Sequence, residues 1–219
     1  MAEAMSGRSR VRRHSERGRY DRATVDAILD EGLVCHLGVV IDGAPRVLPT
    51  LYARDGDVLY LHGAPAAAIL NGGKESPVCL TVSLIDGLVM ARSVNNHSMN
   101  YRSVVVFGRP TVITDREEKL HALQVVVEHV CPGRWDDARQ PSAAELAGTL
   151  VLRLGLDEVS AKVREGGPVD KEEDLDLPVW AGVLPFHTSS GAPQPDPGVP
   201  GDMAVPGYLD GYARPGWVR

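Results

Sequence analysis

The chain has 219 residues, enough for one domain with flanking segments, and its 43% hydrophobic content can fill a core in which aliphatics outweigh the 5% aromatics. A net charge of −6 at pH 7 is the wrong sign for a nucleic-acid binder, whose phosphate-facing surface has to be basic. Three cysteines, Cys35, Cys79 and Cys131, lack CxxC spacing, and no apolar run approaches the roughly 20 residues of a membrane span, so free thiols and a cytoplasmic, membrane-free chain are expected.

The first 19 residues carry charge without an apolar core, which reads as a disordered basic arm and not as a secretory signal. Seven arginines fall between Arg8 and Arg22, while residues 165–176 hold Glu165, Asp170, Glu172, Glu173, Asp174 and Asp176. Each run reads as solvated chain, unless the basic one pairs with the acidic one or with an anionic ligand. In "DRATVDAILDEG", Val25, Ile28 and Leu29 share one helical face and Gly32 is a stop. Strands follow: "LVCHLGVVI", "PRVLPTLYA", "VLYLH", "PVCLTVSLI" and "LVMARSV". The pairs Asp42-Gly43, Asp55-Gly56 and Asp86-Gly87 each carry a hairpin signal between β-branched runs, which predicts an antiparallel meander.

"YRSVVVFGRPTVI" reads as a long strand running into a helix that Thr114 and Glu117 open with capping-box spacing and that Leu120, Leu123, Val127 and Val130 stripe with apolar groups. Ser142 and Glu145 open a second, shorter helix, and "TLVLRLGL" and "EVSAKVR" read as closing strands. From residue 187 Pro and Gly crowd the sequence, predicting an extended tail over 187–219. The expected domain therefore covers 20–186: mainly β, a closed or half-closed antiparallel barrel of six to eight strands with two or three peripheral helices.

Three places can carry chemistry. Pro49 in "RVLPT" removes a ladder donor and marks an edge or bulge, where backbone groups either meet solvent or face a ligand. After His62-Gly63, Pro65 can begin a short helix whose first amides form a small positive pole, or simply a turn. In "NNHSMNYRSVVVFG", Tyr101, Ser103 and Val105 share one strand face, and Arg102 and Val104 the other. An arginine beside a valine run needs an anion or a partner subunit, unless it lies exposed at the strand start. No HExxH, GxSxG, phosphate-loop or metal-spaced Cys/His pattern is present, so no metal site is expected.

The order "RGRYDRATVDAILDEGLVCHLG", "PRVLPTLYA", "LYLHG", "DGLVMARS", "HSMNYRSVVVFG", "PGRW", "SAKVR" and "PVWAGVLP" resembles the pyridoxamine 5′-phosphate oxidase-like, FMN-binding split-barrel proteins, and most of all their nitroimidazole-resistance branch, over about 16–186. The resemblance implies a homodimer with FMN in grooves between subunits and an oxidoreductase acting on a small molecule. By motif, Arg46, Val47, Leu48, Pro49 and Thr50 would lie along the isoalloxazine, Tyr60, His62 and Gly63 would flank the flavin and its phosphate arm, and Tyr101, Arg102 and Ser103 would line the same groove. His62 or His97 would donate a proton. The chain departs from the family at Ala64-Pro65-Ala66-Ala67-Ala68-Ile69, where relatives carry serine and a basic residue for the phosphate. Two other readings therefore stand beside the first: a haem protein with His62 or His97 as axial ligand, and a flavin-binding protein without turnover. Arg102 is expected to supply much of the remaining anion recognition.

Overall fold

The computed structural model describes residue 4 and residues 6–217. Helix α1 (Arg22–Glu31) opens where the Asp21 carboxylate accepts a hydrogen bond from the Thr24 amide at 2.9 Å, and it buries Val25, Ile28 and Leu29, the three positions its sequence spacing singles out. Strands β2 (Val34–Ile41) and β3 (Ala44–Leu51) form the expected hairpin. Its two turn residues, Asp42 (φ 52°) and Gly43 (φ 75°), both take the left-handed conformation that a primed turn demands. Strands β4 (Ala53–Asp55) and β5 (Val58–Gly63) pair across Gly56-Asp57, one residue later than the Asp-Gly signal suggests.

The third Asp-Gly pair is not a turn. Strand β6 (Val78–Met90) runs straight through it, and the register against β7 (Ser98–Gly108) slips by one residue between Ile85 and Gly87. This bulge lets β6 hold three neighbours: β2, β7, and β11 (Gly182–Pro185). A side chain at Gly87 would put its Cβ 2.7 Å from the Leu184 carbonyl oxygen on β11, so glycine is required by close backbone approach and not by a reversal.

The predicted long strand breaks at Arg109-Pro110 into β7 and β8 (Thr111–Val112), which belong to different sheets. Helix α3 (Arg116–Val130) is capped by Asp115, whose carboxylate accepts from the Glu118 amide at 2.8 Å, one residue beyond the expected Thr114 cap; the ionised group is the better acceptor at a helix N-terminus. Its fully buried positions are Ala122 and Val126, with the predicted stripe only half-buried beside them. After the short α4 (Arg134–Asp137), α5 (Ala143–Ala147) carries the reciprocal Ser142–Glu145 capping box. The closing strands are β9 (Leu150–Gly155) and β10 (Val159–Arg164), and α2 (Ala68–Glu75) follows β5.

The result is an antiparallel split barrel of two sheets, ordered β1-β10-β7-β6-β2-β3 with β11 beside β6, and β4-β5-β9-β8, where β1 is Gly18–Arg19. Both the strands and the five α-helices outnumber the sequence expectation, because short strands at the barrel's seams leave no hydrophobic run to read. The main core lies between the sheets, from Leu37, Leu80, Val82, Val104 and Val106 to Leu59, Leu61, Leu152 and Leu154, closed by α1. A second cluster, including Tyr60, Val151, Ala122 and Val126, seals the outer face of the small sheet under α3.

The basic arm differs from expectation, and the tail, extended and exposed over 187–205, docks only near its end. The described part of the basic arm packs onto the domain: β1 pairs with β10, Ser9 is buried, and Arg8 pairs with Glu158. In the tail, Arg214 is 7% exposed and donates to the carbonyl oxygens of Asp30, Glu31, Gly32 and His129, uniting the C-terminal ends of α1 and α3. Among the described residues no helix is long and apolar enough to cross a membrane. Replacing Gly87 by alanine should push β11 off the bulge and cost about 1–3 kcal/mol in urea unfolding, with new protease sensitivity near 182–185.

Candidate cofactor-binding face

Cross-strand partners point to the same side of a sheet, so the register fixes which predicted residues meet. Across the large sheet, Val47 faces Gly38, Pro49 faces His36, and His36 faces Thr81. Ser83 faces Ser103 and Ile85 faces Tyr101, while Ser103 and Tyr101 in turn face Lys162 and Arg164. Val104 and Val106 are fully buried on the opposite side, so all of these residues lie on the outer face. Among the described residues no helix seals this face as α3 seals the small sheet. Val34, Val40, Val47 and Ile85 are exposed there at 43–62%, interleaved with Thr81, Ser83, Ser103 and the Tyr101 phenol.

Four of the predicted residues are thus brought together: Val47, Pro49, Tyr101 and Ser103. Arg46, Leu48 and Thr50 alternate to the other side of β3, which is an edge strand with one ladder. Tyr60 and His62 belong to the small sheet and point toward α3. Tyr60 is 5% exposed, with its ring set edge-on to His121, whose Nε2 lies 2.7 Å from Asp55. It is a core residue. Gly63 packs its backbone against Leu70.

Arg102 is not a free anion receptor. Its guanidinium donates to both Asp86 oxygens (Nε to Oδ2 3.0 Å, Nη2 to Oδ1 2.7 Å) and to both Glu31 oxygens (Nη2 to Oε1 2.9 Å, Nη1 to Oε2). These hydrogen bonds, Asp86's first and Glu31's next, hold its pKa above the ordinary arginine value. The anion that an arginine beside valines needs is supplied from within the chain. The sequence could not show this, because Glu31 lies at the end of α1 and Asp86 looks like a turn residue.

Beside Lys162, the outer face also carries the cation Arg164, in a closing strand to which the sequence expectation gives no site role. It is 6% exposed and donates to Asn100, Gly166 and Gly167, with no carboxylate partner among the described residues and with Nε unbonded, and burial pulls its pKa down. Period-two alternation in "SAKVR" puts Lys162 and Arg164 on one face and is the signal that could have found it.

The two histidines differ. His97 is exposed just before β7, and its Nδ1–H donates to the Ser93 carbonyl at 3.0 Å, which leaves Nε2 with the lone pair in the neutral ring. His62 lines a cavity of about 270 Å³ with Leu123, Val126, Val127 and Trp135. Its Nδ1 is buried without a hydrogen-bond partner, and desolvation lowers its pKa, so the ring stays neutral.

Residues 21–163 match the family model of pyridoxamine 5′-phosphate oxidase. The chain belongs to this family. The flavocytochrome Anf3 from Azotobacter vinelandii is 41% identical, with 95% of this chain and 98% of that one covered and a TM-score of 0.91. The FAD and haem binding protein from Mycobacterium smegmatis is 35% identical, covering 89% and 96%, with a TM-score of 0.86. A 5-nitroimidazole antibiotic resistance protein from Bacteroides thetaiotaomicron is 26% identical, covering 67% and 86%, with a TM-score of 0.58. No curated protein matches the chain in sequence. The nitroimidazole-resistance likeness read from the motifs is real, and the likeness to the flavin- and haem-binding proteins exceeds it.

Arg102→Ala should lower stability by about 2–4 kcal/mol in urea unfolding, since it strands two partly buried carboxylates, and Arg102→Lys should recover only part of the loss. Acid should destabilise the fold through His62 and His129, both held below the ordinary 6.5 mainly by burial. The unfolded chain takes up protons that the folded one refuses, so stability is full above about pH 6.5 and falls as pH drops below it. Melting temperatures measured across that range should show the fall, and a His62→Asn variant should flatten part of it.

Proposed function

We propose that this chain is a homodimeric flavoprotein oxidoreductase acting on a small molecule, with the flavin ring on the outer face of the large sheet. The observation that carries this is the uncovered face itself, where exposed valines and an isoleucine alternate with hydroxyls. An apolar sheet face of this extent is a surface to be covered, and a planar ring together with a second copy of the chain would cover it. The residues fit a flavin. Edge strand β3 has backbone groups on its open side for the polar rim of the ring, Val47 gives an apolar wall, and the Tyr101, Ser103 and Ser83 hydroxyls add donors and acceptors. Bound there, the flavin supplies the electron chemistry, while the protein positions it and keeps water off.

Arg164 gives this face positive character without a carboxylate partner among the described residues, but its guanidinium is buried against Asn100, Gly166 and Gly167 and offers no free fork to an anion. Side-chain phosphate recognition after Gly63 is missing: α2 starts from Ala67 with no side-chain cap, and only backbone amides are offered. The similarity to one protein named for binding FAD favours the dinucleotide over the FMN that the motifs suggest. His62, neutral and facing a cavity too small for a macrocycle, is suited to exchange a proton with a small molecule.

The second reading adds haem to the flavin, and the His97 geometry favours it. A ring that donates Nδ1–H to a backbone carbonyl and presents Nε2 is oriented as axial histidines are. The purified protein should show flavin bands together with a Soret band and scatter light as a dimer of the 23.5 kDa chain. His97→Ala should lose the Soret band and keep the flavin, whereas His62→Ala should keep both. A monomer without visible absorption after reconstitution would refute the whole reading.

A further inference from the structure

One cavity lies not on the sheet face but beside it. The basic arm folds back on the start of the domain and encloses about 1080 Å³, lined by Ser6, Gly7, Arg10 and Val11 on one side and by Gly18, Arg19 and Tyr20 on the other. This is at the upper end of ligand-sized pockets. Most of its arm lies outside the stretch 21–163 that the family shares.

The charges of the arm are unevenly spent. Arg8 pairs with Glu158, Arg17 with Glu16, Arg22 with Asp26 and Asp57, and Arg19 donates to the Glu16 and Gly18 carbonyls. Arg10 and Arg12 have no hydrogen-bond or ion-pair partner among the described residues; Arg10 lines the cavity, and both line the hollow continuous with its rim. In a chain of net charge −6, two unanswered guanidiniums at one concavity mark an anion site. Of the nearby carboxylates, Asp21 caps α1 and Glu158 is held by Arg8 and Ser6, while Asp157 shares an adjoining hollow with Arg12 and is not on the wall that Arg10 lines. The remaining wall is flat and apolar, from Val11 and the Tyr20 ring, and the Val11 amide donates to the Tyr20 hydroxyl at 2.8 Å, which fixes that wall in place. Cations at one end and a fixed aromatic wall at the other suit a phosphorylated nucleoside.

The cavity also borders the proposed cofactor face. Gly18 on its wall pairs with Lys162, and Lys162 pairs with Ser103, so two strand spacings, roughly 10 Å, separate them. We infer that the arm cavity binds the nucleoside 5′-diphosphate half of a dinucleotide, an ADP-like group; its placement beside a flavin rests on the function proposed above. Two sources share this chemistry: the ADP half of FAD itself, and a separate pyridine dinucleotide that delivers electrons.

The test is calorimetry on the full chain with ADP, adenosine, FAD, FMN and NADPH, for the native sequence and for the Arg10→Ala/Arg12→Ala variant. ADP should bind saturably and adenosine far more weakly. The variant should lose at least about tenfold in ADP affinity, as expected for the loss of charge-assisted bonds, with an unchanged melting temperature. Arg10→Lys/Arg12→Lys should regain part of the affinity. If the group belongs to the flavin, FAD falls toward FMN in the variant while FMN is untouched. If it belongs to a separate donor, NADPH weakens and FAD does not. Absence of saturable ADP binding, or ADP binding indifferent to both arginines, overturns the inference. Failure of both flavins to bind while ADP still does would refute the flavin reading alone.

Discussion

A guanidinium between two carboxylates organises this molecule. Arg102 stands in a strand whose neighbours are valines, where an unanswered charge would be costly, and its two partners come from far apart in the chain. Asp86 answers it from the bulge in β6, and Glu31 from the last turn of α1. Satisfying one charge therefore fixes the place of the helix, the position of the bulge and the register of β6 against β7. It also fixes the tail, because Gly216 lies against the Glu31 carboxylate with no room for a side chain, while Arg214 reads the carbonyls around it. Such a network is better at selecting one arrangement than at adding stability, since desolvating three charges offsets much of their attraction.

From that arrangement follows an asymmetry between the sheets. The small sheet has the core on one side and α3 on the other. The large sheet is sealed on one side only, and its outer face combines exposed β-branched residues with hydroxyls and the uncompensated Arg164. The proposed cofactor chemistry attaches to that face, and the proposed arm site borders its edge.

Much of the fold was legible because it rests on local physics. The apolar spacing in α1, the Asp42-Gly43 turn and the Ser142–Glu145 box need only neighbours in sequence to form, and each stands where the sequence puts it. The misreadings share a cause. Asp86-Gly87 has a turn's composition, yet the glycine is there for β11, about 100 residues later, and the aspartate for Arg102. Likewise Thr114 has the right spacing for a cap, but the next residue is ionised and wins the helix dipole.

The pattern along the chain establishes the β2–β3 and β4–β5 antiparallel pairings, the helix that closes the core, the two-faced strand carrying Tyr101 and Ser103, and the family motifs. It does not establish the strand order, since β6 pairs with β2 and β5 with β9 where the turn signals predict a meander. Only the tertiary structure decided which charged groups are spent and which are available. Arginine looks the same in sequence whether, among the described residues, it meets carboxylates, as Arg102 does, or carbonyls alone, as Arg164 does, or no partner, as Arg10 does. For Arg102 the outcome is set by partners 16 and 71 residues away, brought within hydrogen-bond distance by packing. Local propensity carries no record of it, because a charge's free energy depends on what surrounds it in space and not on its neighbours along the chain.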